Sequence, residues 1–407
     1  MTDTLSNETA FHLRRAVERL REGLFDPIAV RLLTARESRL SKTIDRDFQK
    51  LDQNKVPHLC ICGAYGQGKS HSLNYIQDRA LRENFVTSLI NLDPREIPFH
   101  DMRRVYHALV ASMRFSDTDT ALAARWRAWA SGLSREDFED QVAPLLQREM
   151  PHLFRSVLTA MAQKTVSLSE RQRGTKKHVS YRPREFPYLL SRALVGDVVP
   201  VYRLRHALKY RQVDFYKDAS LTCKGAEPYL QMIRGLGQLF QMMGYRGWVL
   251  LFDEGESIAQ VRVTSRSRSY QNLDQMLFPE VASSSVYPIF AFTDDFFQKV
   301  DEEEYDRVRI RNEEELPYFE KDYASAWTGL SRYLLHDLSA EEWKALIEKL
   351  MHLHANAYQW QPEVPVQREM TRRLSHMQGQ ETRYRLKGLV DELDLAHQAQ
   401  ILINHHV

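Results

Sequence analysis

One short stretch constrains the fold of this 407-residue chain more than any other. Residues 63–70 read GAYGQGKS, which matches the phosphate-loop pattern G-x-x-x-x-G-K-[ST] without a mismatch. An apolar run, VPHLCICG, leads into the loop as a predicted strand, and SHSLNYIQDRALREN leads out of it as a predicted helix. This context disfavours the alternative, a glycine-rich turn without a ligand. The sequence therefore predicts a nucleotide-binding P-loop.

Each residue of the loop has an expected role. Glycines let backbone N–H groups converge on phosphate oxygens, and the following helix adds the positive end of its dipole. Lys69 is expected to reach the outer phosphates, and the Ser70 hydroxyl to bind Mg²⁺. The other residues of the loop are also expected to contact the nucleotide: Gly63, Ala64, Tyr65, Gly66, Gln67 and Gly68.

A second apolar run, WVLLFDE, ends in Asp253 and Glu254. In P-loop proteins an acid at the end of another buried strand holds Mg²⁺ through water, which is the role predicted for Asp253. Glu254 is predicted to orient or deprotonate the attacking water. Strands often end in acidic turns, so the run is weak evidence alone. Together with the P-loop it indicates an ATPase with a catalytic acid, with ATP and Mg²⁺ as cofactors, and argues against a small GTPase.

The order of strand-like and helix-like runs predicts an α/β fold with a parallel sheet. We expect a P-loop NTPase of the additional-strand, catalytic-glutamate class. Strand signals are weak from about 101 to 245, so this region is predicted as a large helical insertion. The predicted domains are an N-terminal helical segment (1–50), an ATPase core that contains the insertion (51–320) and a C-terminal helical lid domain (321–407).

Further candidates for the site have ordinary alternatives. Thr293 lies at the end of the strand-like run VYPIFAFTD, where ATPases of this type place a polar residue near the γ-phosphate; a common polar strand end is the alternative. Arg383 begins a helix of the predicted lid, where AAA+-like ATPases place an arginine on the γ-phosphate; a solvated arginine is equally consistent. A charged run after the third strand supplies candidates for a finger into a neighbouring subunit, or merely a salt-bridged surface: Arg307, Arg309 and Arg311.

Two basic segments, 171–184 and 262–268, are candidates for contact with DNA. The formal net charge is +2, so any basic surface must be local. Such segments can bind phosphate backbones, although exposed basic loops are also common in proteins that never meet DNA. Their cations, with one tyrosine, are Arg171, Arg173, Lys176, Lys177, Tyr181, Arg182, Arg184, Arg262, Arg266 and Arg268.

Other classes of protein are disfavoured by composition. The cysteines are Cys60, Cys62 and Cys223, and no CxxC pattern or Cys/His cluster accompanies them, so neither a disulfide framework nor a zinc site is supported. Histidines such as His352 and His354 are predicted to be structural or solvated. No apolar signal core or membrane-spanning run is found, so a soluble cytoplasmic protein is expected.

Several separated motifs together resemble the ATP-binding proteins of BREX-type bacterial phage-defence systems, a BrxD-type P-loop family. They are LREGL, RLLTARESRL, GAYGQGKSH with His71, FVTSLINLD, VYHAL, LLFDEGESI and TRYRLKGLVDELD. The resemblance implies an AAA+/STAND-like ATPase that acts with other defence proteins on DNA. It assigns the roles above to Lys69, Ser70, Asp253, Glu254 and Arg383, and adds His71 to the nucleotide-binding loop.

The function predicted from the sequence is that of an ATP-binding, Mg²⁺-dependent ATP-hydrolysing subunit of an anti-phage system. It would couple hydrolysis to assembly or remodelling of a complex on DNA, with other defence proteins, and a second copy of the chain, as candidate partners. The alternative is a nucleotide-switched signalling or scaffold protein with little turnover. A self-standing helicase fits poorly, because the chain shows a single P-loop core.

Overall fold

A computed structural model describes residues 9–24, 26–34, 37–53, 55–162, 185–213, 215–280, 285–312, 318–377 and 379–405. Its centre is a six-stranded sheet of order β3-β2-β4-β5-β1-β6. Neighbouring strands are parallel except for the β2–β3 pair, which is antiparallel. The strands are β1 Leu59–Cys62, β2 Val86–Asn91, β3 Met113–Arg114, β4 Trp248–Asp253, β5 Val286–Phe292 and β6 Arg332–Leu334.

The described helices surround this sheet. Those before β4 are α1 Ala10–Arg21, α2 Pro27–Leu33, α3 Glu37–Asp52, α4 Lys69–Arg82, α5 Met102–Ala111, α6 Leu122–Ser131, α7 Arg135–Asp137, α8 Ala143–Glu149, α9 His152–Ala162, α10 Phe186–Leu194, α11 Val201–Tyr210 and α12 Glu227–Met242. Those after β4 are α13 Val263–Leu277, α14 Asp294–Asn312, α15 Tyr323–Ala326, α16 Ala340–Tyr358, α17 Val364–His376 and α18 Thr382–His405. A π-helical turn, Phe138–Val142, joins α7 to α8.

The central strands are apolar on both faces because helices cover the sheet on both sides. All residues of β1, β4 and β5 are buried. Alternate side chains point to opposite faces. Cys60, Phe252 and Phe290 join the core shared with the 101–245 region, whereas Ile61 and Leu251 join the core shared with α3 and α4. This two-sided burial explains why the strands read as continuous apolar runs in the sequence.

The region from 101 to 245 is helical in its described part, as expected, apart from the two-residue strand β3. Its apolar side chains belong to the same buried cluster as β4 and β5, including Trp126, Phe154 and Phe240. The region therefore packs directly on one face of the sheet.

The first and last helices form a third apolar cluster, made by α1, α2 and α16–α18. Local signals start two of these helices: Ser339 and Glu342 form a capping box at α16, and Asp26 caps α2 ahead of Pro27. Arg21 of α1 donates two hydrogen bonds to Asp394 of α18, at 2.9 and 2.8 Å. The helices α1, α2 and α16–α18, which are the first and last described ones, are thus joined into one helical group.

The structure corrects one aspect of the sequence analysis. The range 321–407 was expected to be helical, but β6 lies within it and pairs with β1 in parallel. The sequence around β6, SRYLLHD, contains three paired residues with alternating exposure, which is too short a pattern to distinguish from a loop. The proposed domain boundaries stay a prediction. Within the described residues, no helix combines the length and apolar character needed to cross a membrane.

His354 is a buried, neutral histidine in the helical group. It is 0% exposed; Trp360 Nε1 donates to its Nδ1 at 2.9 Å, so its Nε2 carries the proton and donates to Asp394 at 3.0 Å. Burial lowers the pKa of His354, although Asp394 opposes this shift.

A pH dependence follows from the lowered pKa of His354. Below the unfolded pKa of about 6.5 the unfolded chain binds a proton more readily than the folded one, so stability falls as pH falls. Urea unfolding should show a larger loss of unfolding free energy between pH 7.5 and 5.5 in wild type than in His354→Asn. An equal loss in the two proteins would contradict the assignment.

Candidate nucleotide-binding site

The P-loop adopts a backbone that its glycines permit. It follows β1 directly, and α4 begins at Lys69. Gly66 and Gly68 have φ values of +80° and +96°, in the left-handed region that side-chain-bearing residues rarely adopt. Gly63 is confined for another reason: a Cβ at this position would lie 2.9 Å from Cβ of Leu335. The loop and the start of α4 therefore present backbone amides where phosphates would bind.

Lys69 and Gln67 fold back onto the loop. The Lys69 ammonium, on a side chain that is 8% exposed, donates to the carbonyl oxygens of Gly63 (2.9 Å) and Ala64 (3.1 Å). Gln67 Oε1 accepts from Ala64 N at 2.8 Å, and its Nε2 donates to Asp337 at 3.2 Å. These contacts thus occupy the Lys69 ammonium and the Ala64 N–H, two donors that a nucleotide phosphate would engage.

The acidic pair follows β4 at the same sheet edge. Asp253 is 7% exposed, pairs in register with Asn91, and accepts a hydrogen bond from Glu254 N at 3.0 Å. Glu254 has φ +57°, an uncommon conformation for a residue with a side chain. Gly255 then packs so closely on β5 that a Cβ would lie 2.5 Å from the Ala291 carbonyl oxygen. The contact with β5 thereby fixes the turn that carries Glu254.

The Glu254 carboxyl is held in a partly desolvated, acidic environment. Burial raises its pKa, the carboxylates of Glu256 and Asp253 raise it further, and the positive charge of Lys69 opposes them. A carboxyl whose pKa moves towards neutrality is better suited to accept a proton from water. Lys69 and Glu254 also line the same cavity.

β5 brings the two motifs together. It lies between β1 and β4, and Gly63 N donates to the Phe292 carbonyl at 3.2 Å. Thr293, the next residue, therefore lies at the carboxyl edge of the sheet beside the start of the P-loop. It does not line the cavity described next, and its role stays a prediction.

A cavity of about 220 Å³ opens over the P-loop. Its floor is the loop and the start of α4, and Glu254 reaches its wall. Away from the loop the lining is mainly apolar and comes from the helical group and from residues that follow α1 and β6: Leu20, Leu24, Ala29, Val30, Leu33, Leu335, Leu338, Leu346 and Leu386. A polar floor with an apolar upper wall suits a ligand that has phosphates at one end and a flat base at the other.

The start of α18, with Glu381 just before it, closes one side of this cavity. Glu381 packs on the P-loop, since a Cβ on Gly66 would lie 2.8 Å from its Cγ. Arg383 lines the cavity and packs on Gly23, where a Cβ would lie 3.3 Å from its Cδ. The structure thus brings Arg383 to the cavity of the P-loop, from the far end of the chain.

His71 connects the P-loop helix to the helical group. Thr34 Oγ1 donates to the Val30 carbonyl at 2.6 Å and lies 3.0 Å from His71 Nε2, so the imidazole donates to the threonine. Burial, aided by the positive charge of Lys349, lowers the pKa of His71 to about 4. Lys349 in turn donates to the Thr34 carbonyl at 2.9 Å. His71 lines the cavity as a neutral group with a structural contact.

The structure changes the assessment of the predicted DNA-contact residues. Arg266 forms an ion pair with the buried carboxylate of Glu303, so its charge is not available to a polyanion. This corrects the prediction that Arg266 contacts DNA. Arg262 and Arg268 are exposed. The segment 171–184 lies outside the described residues, as do the side chains of Arg307, Arg309 and Arg311.

Sequence reasoning missed three features of the site. These are Glu256 beside Glu254, the Gln67–Asp337 hydrogen bond, and Glu381 on Gly66. Glu256 had a signal, an acid two positions after the catalytic candidate. The other two join distant parts of the chain, and no local pattern reports them.

The chemistry of the site fits Mg²⁺ bound together with a nucleotide. Among the described residues no group of three or more His, Cys, Asp or Glu side chains could hold a metal alone. One hydroxyl, from Ser70, and one buried carboxylate, from Asp253, suit a cation that takes its remaining ligands from phosphates and water.

Comparison with known protein families gave a match. A family model described as "BREX system ATP-binding protein BrxC/D" matches residues 12–177 and 222–405. The chain belongs to this family. Comparisons with curated proteins and with solved structures gave no significant match. Membership of the BrxC/D family identifies ATP as the nucleotide and places the chain among the components of a BREX system.

The close packing of Gly255 on β5 generates a stability prediction for this BrxC/D protein. Gly255→Ala forces a methyl group against the Ala291 backbone and the Phe292 ring, so the unfolding free energy should fall by about 1–3 kcal/mol. Gly329→Ala is the matched control, because nothing lies within 4 Å of its added Cβ. Equal unfolding midpoints in urea for the two variants would show that the Gly255 contact is unimportant.

Proposed function

We propose that this BrxC/D protein is a Mg²⁺-dependent ATPase of the additional-strand, catalytic-glutamate class, with AAA+/STAND-like organisation. The observation that carries the proposal is the placement of β5 between β1 and β4. This order separates the P-loop from Asp253-Glu254 by one strand, leaving room for a nucleotide and an attacking water at the shared carboxyl edge.

The proposed chemistry assigns one task to each group. Lys69 exchanges its carbonyl contacts for the outer phosphates and stabilises the negative charge that develops there. Ser70 and Asp253 hold Mg²⁺, which neutralises phosphate charge. Glu254 accepts a proton from water, and Thr293 and Arg383 are the candidates for γ-phosphate contact. Removal of a general base lowers the rate of a reaction by about 10²–10⁴-fold.

Conformational coupling would arise because the cavity is shared by separate parts of the chain. Residues of α1, α2 and α18 face the same space as the P-loop. A bound nucleotide would contact all of them at once, and loss of the γ-phosphate would weaken the contact to Arg383. We propose that this movement of the helical group drives assembly or remodelling of a BREX complex on DNA.

A nucleotide-switched scaffold with little turnover is the second candidate, and one observation favours it. Glu381 and Arg383 close the cavity over the P-loop, which would slow exchange of a bound nucleotide. On this alternative the protein retains ATP or ADP through purification and gel filtration. Absence of nucleotide in the acid-released supernatant, measured by ion-exchange chromatography, would count against it.

Two substitutions separate binding from hydrolysis. Lys69→Ala should abolish nucleotide binding, because it removes the charge that meets the outer phosphates. Glu254→Gln should bind ATP like wild type but turn over about 10²–10⁴-fold more slowly, because an amide cannot accept the proton. Phosphate release and the binding of a fluorescent ATP analogue measure the two effects.

Matched controls for this pair are Lys344→Ala and Glu341→Gln, exposed positions on α16. Both should retain wild-type binding and turnover. Normal turnover in Lys69→Ala and Glu254→Gln would refute the ATPase proposal.

A further inference from the structure

A strongly basic helix of the 101–245 region lies outside the nucleotide site. α11 spans Val201–Tyr210 and buries Leu204, Ala207 and Leu208. Its exposed side chains include Arg203, Arg205 and Lys209. No residue of α11 is acidic, and the next residue in the chain is another cation, Arg211. In a chain of net charge +2, this is a local concentration of positive charge.

Two of the cations share a face of the helix, and the third lies at the other edge of its exposed side. Tyr202, Arg205 and Lys209 are separated by three and four positions, so they lie on one face. Arg203 is about 100° from Tyr202 around the helix axis, on the opposite flank from Arg205. From Tyr202 to Lys209 the helix rises about 10 Å at ~1.5 Å per residue. Each strand of a duplex carries one phosphate for every ~3.4 Å of the duplex axis, so a helix of this length that lies along the axis faces about three phosphates of a strand.

Within the described residues, which do not include Asp214, no contact competes with a ligand for the three cations. In the described part of the chain no carboxylate forms an ion pair with Arg203, Arg205 or Lys209, and no other polar contact to them is found. The nearest acid before the helix, Asp197, is already shared by Arg192 at 2.8 Å and His107 at 3.3 Å. Asp218, beyond the helix, is exposed to solvent.

The neighbouring helices add positive charge and aromatic surface. α9 and α10 pack against α11. α9 contributes the positive charge of Arg155, whose guanidinium lies over the Phe215 ring at 4.1 Å. On α10, Arg192 lies 5.9 Å from the Tyr188 ring, and its charge is paired with Asp197. Tyr188 is 69% exposed and Tyr202 is 55% exposed, so both hydroxyls can donate to phosphate oxygens.

We propose that the exposed face of α11 binds the phosphate backbone of double-stranded DNA. An acidic protein is the less suitable ligand, because stable protein interfaces centre on buried apolar anchors and this face offers cations around a single tyrosine. This proposal rests on the proposed function, in which DNA is a partner. It places the DNA contact on the exposed face of α11 instead of on Arg266, whose charge is paired. Contacts of this kind position a protein without reading base sequence.

The test uses the full-length protein and a fluorescein-labelled 25-base-pair duplex. Anisotropy gives the binding constant at several salt concentrations between about 50 and 200 mM. In Arg203→Ala/Arg205→Ala/Lys209→Ala, the affinity at low salt should fall at least tenfold, and the slope of log K against log salt should decrease by about 3, one for each lost phosphate contact. A second duplex of unrelated sequence should give the same result.

A charge-matched control distinguishes this face from a general effect of net charge. Lys344→Ala/Arg368→Ala/Arg373→Ala removes three exposed cations from α16 and α17. It should leave affinity and slope unchanged. Equal losses in the two triple variants, or wild-type binding by the α11 variant, would overturn the inference. So would displacement of the duplex by polyglutamate at equal charge concentration.

Basal ATP turnover without DNA is measured on the same samples. It should be unchanged in the α11 variant, because the helix contributes nothing to the nucleotide cavity. If the wild-type protein hydrolyses ATP but binds no duplex at low salt, the DNA surface is refuted and the ATPase proposal stands. If it binds the duplex through α11 but does not hydrolyse ATP, the surface stands and the ATPase proposal is refuted.

Discussion

The candidate site depends on the hydrogen bonding of β5 between β1 and β4. Without this strand, Lys69 and Glu254 would have no fixed relation, since they lie in motifs far apart in the sequence. β5 is buried throughout and stacks Phe290 on Phe252, with ring centroids 4.2 Å apart. It also receives Gly255 in near-contact. Apolar packing of one strand thus fixes the distance between phosphate-binding and acidic groups.

The second constraint is the joining of the first and last described helices beside the P-loop. Arg21 and Asp394 bind each other, His71 contacts Thr34, and Glu381 packs on Gly66. These contacts make the upper wall of the cavity from helices that the sheet does not position directly. A nucleotide in the cavity would bridge the rigid sheet and the helical group, which is the physical requirement for converting phosphate chemistry into movement.

The parts of the site that could be predicted from sequence are those whose chemistry is local. Glycine permits the positive φ values at Gly66 and Gly68, and the cation of Lys69 complements the charge expected of phosphates. The apolar run before Asp253 predicts a buried strand. The remainder depends on long-range packing. β6 contains three residues, Glu381 reaches the P-loop from the far end of the chain, and Arg266 is neutralised by Glu303 on another helix. No periodicity in the sequence records such contacts.

The central claim is that ATP is hydrolysed in the cavity between the P-loop, Asp253-Glu254 and α18. A single-turnover experiment tests it most directly, with enzyme in excess over γ-³²P-labelled ATP in the presence of Mg²⁺ or EDTA. The expected result is release of labelled phosphate with Mg²⁺ and intact ATP with EDTA. Stoichiometric binding of ATP that stays intact for hours with Mg²⁺ would contradict it and identify the protein as a nucleotide-switched scaffold.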